Sequence, residues 1–511
     1  MILPSLALPI PPVCDTEPEL PICLLPGPTG NLLETTRCVL HAMGDCNPPA
    51  WYARGGKVVS ASEQADGSVN WTEVEATGAR VDIEHFVSVQ SCKEVRGEFQ
   101  FRPATMLERD ARSILNSGEV ARILPTLKQV QKFPYLRETN DRLVLETHGF
   151  NRGSGIYLVG DCRPEEVSLE EAVEALLELF SEFQFATEAD RSRAIASVLT
   201  PALQGSSAIS GSVPVTIVEA NQSQAGKGLF VQTACALYDE TPHIVVQRKG
   251  GVGSTDESLA TNFLRGGAFV VFDNIRGSLK SEYLESALTA NSSFPVRVPG
   301  KQEVLVDVSH ATIWLTSNGF VSTVDLANRA SFVQIRKPSN HQYRALPQLV
   351  SERKAFYQGC VLRVVRSFLE GGCPRTDEGR HSFHGWAQPL DWIVQNFFRL
   401  PPLLEGHESA QNTISNPNLA FLRALAHAVV QSGRLGEDLR PNVLADICLE
   451  RDVPIVEGRD NSALELGVGG RSIGRKLSPV FRDQDSVLID GYEVVRRTIT
   501  DHSENGNPFE A

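Results

Sequence analysis

The chain lacks the devices that hold small or exported domains together. Its 511 residues contain ten cysteines with no CxxC pair, and the opening MILPSLALPIPPVC has no basic residue ahead of its apolar stretch. This pattern fits neither a disulfide framework, nor a zinc ribbon, nor a secretory leader, so free thiols in a reducing, cytoplasmic setting are expected. Cys360, Cys373, His381 and His384 lie near one another, but their intervals match no usual finger and GGCPRTDEGRHSFHGW reads as a loop. Long apolar runs are also missing. Charge, Gly or Pro interrupts every hydrophobic stretch before the ~20 residues that a bilayer requires, so no membrane span is expected. Positive charge is in deficit: 48 Lys and Arg face 62 Asp and Glu, for a formal net charge of -14. Whole-molecule repulsion from phosphate excludes a nucleic-acid-coating protein and confines any DNA contact to small basic patches. The amino-terminal region has no compact acidic motif for a two-metal site, so primase chemistry is not expected there.

The length is enough for three or four folding units. Residues 1–110 open Pro-rich, continue through WYARGGKVV, and alternate apolar with polar positions in VDIEHFVSVQ. They read as a mixed α/β region of small strands and loops, of unknown role. Helical periodicity follows over 111–205, a collar-like domain, clearest in SLEEAVEALLELFSEF, where Ser168 and Glu171 have capping-box spacing. The Ser/Gly-rich QGSSAISGS reads as a hinge into a core over 206–345. Helical patterns return over 346–435. Residues 436–500 read as helix, helix and two short strands, a winged helix, and 501–511 as a disordered tail.

The chemistry concentrates in the core. The β-branched run PVTIVEA reads as a buried parallel strand, and it runs into Asn221, Gln222, Ser223, Gln224, Ala225, Gly226, Lys227 and Gly228 before the helical LFVQTACALY. That is the strand–loop–helix setting of a P-loop, GxxxxGK[ST], in which loop N–H groups cradle phosphates and Lys227 neutralises the β/γ charge of ATP. Two positions depart from the pattern: Ala220 replaces the first glycine, and Gly228 replaces the hydroxyl residue that ligates Mg²⁺. Further on, GGAFVVFDNIRG ends a hydrophobic strand in Asp273, placed to hold Mg²⁺, with Asn274 where many ATPases carry a water-activating glutamate. ATIWLTSNG ends another strand in Asn318, suited to orient the attacking water. DLANRASFVQIRKP then offers Arg329, with Arg336 as the alternative, as an arginine finger.

With these motifs in order, the chain resembles the superfamily 3 helicases of small DNA viruses. It is still more similar to the primase-helicase-like AAA+ ATPases of phages, plasmids and integrated elements. VVFDNIRGSLKSEYLESALT resembles their Walker B strand and following helix, ATIWLTSNGFVSTVDLANRASFVQIRKP their sensor strand and finger, and FPYLRETNDRLVLETHGFNRGSGIYLV the segment ahead of their motor. The resemblance covers roughly 120 to 500. It implies an α/β fold with a P-loop AAA+ core on a parallel sheet, use of ATP and Mg²⁺, hexameric homo-oligomeric rings, and translocation on DNA. It carries phosphate binding to Lys227, the metal to Asp273, the sensor to Asn318 and a finger acting in trans to Arg329.

Two local patches answer the charge argument. FPVRVPGKQEVLVDV reads as a hairpin around Pro299-Gly300 with Arg297 and Lys301, and in the resembling helicases such a hairpin grips single-stranded DNA in the ring channel. GRSIGRKLSPVFR carries Arg471, Arg475, Lys476 and Arg482 with no acidic residue. Its spacing turns Ile473, Leu477 and Val480 inward and the cations outward, as a recognition helix on duplex DNA would, with VLIDGYEVV as the wing. The expected function is a ring-forming DNA helicase or replication motor of a mobile genetic element. An AAA+ initiator or loader, and a nucleotide-binding regulator with weak hydrolysis, remain as alternatives.

Overall fold

The computed structural model describes residues 20–63, 69–140, 142–160, 162–220, 224–248, 254–290, 293–297, 303–338, 344–451, 453, 455, 468–482, 485–489, 492–497, 500–501 and 509–510. The chain forms two compact units, one running to Lys128 and including Gly149–Val159, the other made of Gln129–His148 and everything from Gly160 on. Among the described residues no helix is long and apolar enough to cross a membrane.

The smaller unit runs β1 (Ile22–Leu24), α1 (Leu32–Asp45), β2 (Tyr52–Arg54), β3 (Lys57–Glu63), β4 (Val69–Glu73), α2 (Ala76–Phe86), β5 (Ser88–Val95), β6 (Glu98–Pro103), α3 (Glu108–Leu115) and α4 (Val120–Ile123). Strand β5 pairs in parallel with β1 and antiparallel with β6, while β2, β3 and β4 form an antiparallel meander. The tight β2–β3 turn falls at Gly55 and Gly56, both at positive φ, as a two-residue hairpin demands. Asn31 starts α1 with a full capping box to Glu34. The alternating run VDIEHFVSVQ divides: Val81–Phe86 belong to α2, Val87 caps it, and only Ser88–Gln90 belong to β5. Ala79 and Ile83, four apart, are both buried on one face of α2, and that helical pairing outweighs the local period of two.

The larger unit begins with β7 (Gln129–Gln131) and the hairpin β8 (Tyr135–Thr139) and β9 (Arg142–Glu146). The chain then supplies the hairpin β10 (Gly149–Asn151) and β11 (Ile156–Leu158) to the smaller unit. Among the described residues, 111–205 therefore hold six short strands, counting Gln184–Phe185, as well as helices. Next come α5 (Leu169–Leu179), β12 (Gln184–Phe185) and α6 (Glu188–Gly205). Ser168 caps α5 by accepting from the Glu171 N–H at 3.1 Å, the first half of the expected box. Fully reciprocal capping falls instead at Thr187 and Asp190, ahead of α6. The Ser/Gly stretch after α6 is packed and does not act as a free hinge: Ala208 and Ile209 are buried, and the Ser206 hydroxyl accepts from the Leu136 N–H at 3.2 Å.

The core follows as β13 (Val215–Ala220), α7 (Lys227–Leu237), β14 (His243–Val245), α8 (Thr255–Arg265), β15 (Phe269–Leu279), α9 (Glu282–Thr289), β16 (Phe294–Val296), β17 (Val304–Val306), β18 (Thr312–Ser322), α10 (Val324–Asn328) and β19 (Ala330–Arg336). Its six-stranded sheet has the order β12-β19-β13-β18-β15-β14, parallel throughout except for the antiparallel edge strand β12. Side chains alternate between two cores. Val218, Val271, Trp314 and Val333 face one, while Ile217, Phe272, Leu315 and Phe332 face the other. Burial on both faces explains why these strands read as nearly continuous apolar runs.

The chain continues through α11 (Leu346–Glu352), α12 (Lys354–Glu370), α13 (His384–Asn396), α14 (His407–Ser415), α15 (Pro417–Gln431), α16 (Pro441–Glu450), α17 (Val468–Leu477), β20 (Ser486–Ile489) and β21 (Tyr492–Val495). Buried Arg193 ties helices to sheet. Its guanidinium donates to the carbonyls of Phe332, Leu403 and Glu405 and pairs with Asp190 at 2.7 Å. Removing one member of such a buried pair costs roughly 3–5 kcal/mol, so Arg193 fixes α6 against the carboxyl half of the sheet.

Candidate functional site

The order of the sheet determines where chemistry can occur. Strand β13 lies between β19 and β18, and β18 separates it from β15, although β15 precedes β18 in the chain. In open parallel sheets of this kind ligands bind outside the carboxyl ends of the strands, where connections leave in opposite directions. Both faces are apolar, so polar side chains gather at that end.

Strand β13 ends at Ala220, and α7 starts at Lys227 with Gly226 as its N-cap. Gly226 sits at φ 90, a left-handed conformation that favours glycine, and Gln224 before it is also left-handed at φ 62. These turns aim the first N–H groups of α7 outward, the geometry of a helix N-terminus that receives anions. Ala225 is buried beneath them. Asn221, Gln222 and Ser223 lie outside the described residues.

Lys227 is largely buried, and its Nζ donates to Asn318 Oδ1 at 2.5 Å. Burial pulls its pKa below the ordinary lysine value, and the negative charges of Glu219 and Asp273 pull back upward. Lys227, Asn318 and Asp273 thus share one electrostatic neighbourhood, but neither polar residue ends its strand as expected: β18 runs past Asn318 to Ser322 and β15 past Asp273 to Leu279, because the bulged pair continues beyond the end of β13. Asp273 is exposed, and its Oδ1 accepts from the Thr316 hydroxyl at 2.8 Å. The same hydroxyl accepts from the Asn274 N–H at 2.7 Å. A bulge makes this possible: Phe272 pairs with Leu315 and Ile275 with Ser317, so β15 carries one more residue than β18 across that interval. The extra residue turns Asn274 to φ 52 and releases Asp273 from the ladder.

Gly228 is exposed in the first turn of α7, and a Cβ there would meet no atom within 4 Å. The missing hydroxyl residue is therefore not a matter of space. Mg²⁺ is commonly held by one or two carboxylates together with phosphate oxygens and water. Asp273, exposed and fixed by Thr316, fits that mode. Among the described residues no three His, Cys, Asp or Glu side chains converge as a metal cage.

Apart from Arg336, which lies beside Glu219, the other expected residues lie away from this neighbourhood. Arg329 is half-buried at the end of α10 and donates to the Glu285 carbonyl of α9 at 2.7 Å. Arg336 ends β19 and lines a cavity of about 320 Å³ together with Glu219, Ala220, Asp190, Arg193 and Arg423. Strands β16 and β17 pair antiparallel, with Phe294 opposite Val306, and exposed Arg297 follows β16. The connecting tip with Lys301 lies outside the described residues. On α17 Ile473 is buried and Arg471 and Arg475 are exposed, as is Arg482 beyond it. The Lys476 ammonium lies over the Phe421 ring at 4.7 Å, so it packs onto α15. Strands β20 and β21 pair antiparallel, and Asp490 and Gly491 between them are outside the described residues.

Sequence reasoning missed Thr316, Glu219 and Arg423. Glu219, fully buried on β13 one residue from the loop, accepts from Arg423 of α15 at 2.6 Å. This ion pair connects β13, the strand that precedes Gly226 and Lys227, to the carboxy-terminal helices. Nothing near either residue in the sequence marks the other.

No protein-family model matches the chain, and no curated protein sequence does. Among solved structures, the chain is similar to the A-form apo structure of the NrS-1 C-terminal region, at 12% identity over 86% of this chain and 92% of that one, with a TM-score of 0.35. The SCCmec type IV Cch active helicase is 13% identical over 79% of this chain and 72% of that one, with a TM-score of 0.30. A ligand-bound JCV helicase is 12% identical over 52% of this chain and 74% of that one, with a TM-score of 0.22. Likeness at this level leaves the family of the chain unassigned.

Thr316 makes two of the contacts that set Asp273 and Asn274. Thr316→Val is expected to lower the unfolding free energy by about 1–3 kcal/mol, because the Asn274 N–H loses its acceptor. In a double-mutant cycle with Asp273→Ala, measured by urea denaturation, the two losses should fail to add by at least about 0.5 kcal/mol. Strict additivity would show that Thr316 does not hold the aspartate.

Proposed function

We propose that this protein is an ATP-driven motor of the AAA+ type, acting on DNA as a ring-forming helicase in the replication of a mobile genetic element. The observation that carries the reading is the meeting of Lys227, beyond the carboxyl end of β13, with Asn318 of the adjacent β18 and Asp273 of β15. In this reading the N–H groups at the start of α7 and the Lys227 ammonium hold the polyphosphate, and the run Asn221–Gly228 is assigned to nucleotide binding. Asp273 holds Mg²⁺, which supplies charge neutralisation at the phosphates. Asn318 releases Lys227 to the phosphate and turns its amide toward the attacking water. The cavity beyond Ala220 has room for the nucleoside.

DNA contact is assigned to Arg297 and Lys301 on the hairpin, and to Arg471, Arg475 and Arg482 at α17. Helices α15–α17 with β20 and β21 are read as a winged helix, and the helices ahead of β13 as a collar. Lys476 is assigned less to DNA than to packing, because its ammonium is already taken by Phe421.

A second reading has a specific observation behind it. Asn274 stands where a carboxylate would activate water, and Gly228 offers Mg²⁺ no hydroxyl, which favours a nucleotide-binding regulator with weak hydrolysis. The two readings separate on phosphate release. As a motor, the protein should hydrolyse ATP several-fold faster with single-stranded DNA and open a forked duplex only when ATP is present. Slow release that DNA does not change, with no strand separation, would select the regulator.

Arg329 is proposed to complete the site of a neighbouring subunit. An arginine finger contributes on the order of 10³–10⁵ in rate, so Arg329→Ala should abolish turnover while sparing nucleotide affinity. Mixed with an inactive Lys227→Ala chain, it should regain activity, because one interface then pairs an intact loop with an intact finger. Verified mixed assemblies with no recovery would leave Arg329 as a tie to the Glu285 carbonyl.

A further inference from the structure

The smaller unit carries no part of the proposed nucleotide site, yet it brings two thiols together. Cys23 is the middle residue of β1 and is fully buried, while Cys38 lies half-buried in the second turn of α1. Each thiol reaches across to the other's element. Cys23 Sγ donates to the Thr35 carbonyl of α1 at 3.8 Å, and Cys38 Sγ donates to the Ile22 carbonyl of β1 at 3.6 Å. The seam is fixed independently by the Thr35 hydroxyl, which donates to the Leu24 carbonyl at 2.6 Å.

Their settings are unequal: Cys23 is fully buried and Cys38 only half-buried. The neighbouring Cys23 thiol holds the Cys38 pKa below its ordinary value, with His41 one turn along α1 acting in the same direction and burial opposing it, while the Cys38 thiol and burial push Cys23 up. Cys38 is thus the more ionised and the more accessible of the pair, and Cys23 waits behind it as a buried thiol. A reactive thiol beside a resolving one is the arrangement in which disulfide exchange proceeds to an internal crosslink.

We propose that Cys23 and Cys38 form a reversible dithiol–disulfide site that takes a low-molecular-weight disulfide of the glutathione type as its oxidant. The Cys38 thiolate attacks one sulfur of the small disulfide, whose S–S bond breaks, and one small thiolate leaves. The Cys23 thiol then loses its proton and attacks Cys38 Sγ, forming the Cys23–Cys38 bond and releasing the second small thiol. Two electrons pass from the protein to the small disulfide, and the two protein protons end on the two small thiols. The crosslink joins α1 to β1 and through it to β5, with which β1 pairs.

Cys46 is the internal comparator. It too is half-buried on this unit, but burial raises its pKa, and its sulfur is engaged with the Met43 carbonyl and the Ala50 N–H, each at 3.2 Å. The full chain is incubated with oxidised glutathione, its remaining thiols are alkylated, and its peptides are mapped by mass spectrometry. Cys23 and Cys38 should be found linked while Cys46 is alkylated, and Cys38 should react roughly tenfold faster than Cys46. Cys23→Ser should halt the sequence at a glutathione adduct on Cys38, and Cys38→Ser should prevent both adduct and linkage. A stable adduct on wild-type Cys38 with no link to Cys23, or Cys46 reacting as fast as Cys38, would overturn the proposal. The wild-type measurement needs no variant, so a misfolded mutant does not blunt it.

Discussion

The Lys227 ammonium is the constraint around which the rest of this architecture is arranged. A buried cation requires a close polar partner and nearby negative charge, or it loses its proton. Asn318 supplies the partner, and Glu219 and Asp273 supply the charge. All four residues reach the same place because the sheet is covered on both faces, which leaves only its carboxyl end open to polar chemistry. The bulge in β15 and the left-handed turn at Gly226 are the two local distortions that complete this end. Both bring polar groups out of a ladder or a helix toward a common point.

The carboxy-terminal helices are coupled to that point through buried charge. Arg423 on α15 holds Glu219, the penultimate residue of β13, which lies within the electrostatic reach of Lys227. Losing one partner of such a pair would leave an uncompensated buried charge, at a cost of roughly 3–5 kcal/mol. An anion arriving at Lys227 changes the field at Glu219 and therefore at Arg423. The charge at Lys227 and the position of α15 are linked by this route, and α15 also carries Phe421, against which Lys476 of α17 packs. Arg193 and Asp190 play the corresponding part for α6 on the same edge of the cavity.

What could be read from the sequence follows the range of each interaction. Gly226 and Lys227 were legible because a left-handed turn and a helix start are specified by adjacent residues. Asp273 and Asn318 were legible because each interrupts an apolar run, although the strands do not end there: β15 continues to Leu279 and β18 to Ser322. Thr316 was not legible, since it acts on an aspartate 43 positions away, nor was Arg423, whose partner is 204 positions away. Sequence carries no local mark of such pairings. Val81–Phe86 misled because a short helix with Ala79 and Ile83 inward also alternates over a few residues. The Ser/Gly run after α6 misled because composition suggests a hinge, whereas Ala208 and Ile209 in its middle are drawn into the core. The short strands within 129–158 were hidden because strands of this length have too few residues to establish a period.

The central claim is that the end of this sheet is a nucleotide site organised on Lys227. Calorimetric titration of MgATP into the wild-type chain and into Lys227→Ala, with folding of both checked by circular dichroism, tests it most directly. The account predicts saturable binding to the wild type and at least a roughly hundredfold loss in the variant, since a charge-assisted contact to phosphate is removed from a partly buried site. Equal affinity in the two folded proteins would contradict it.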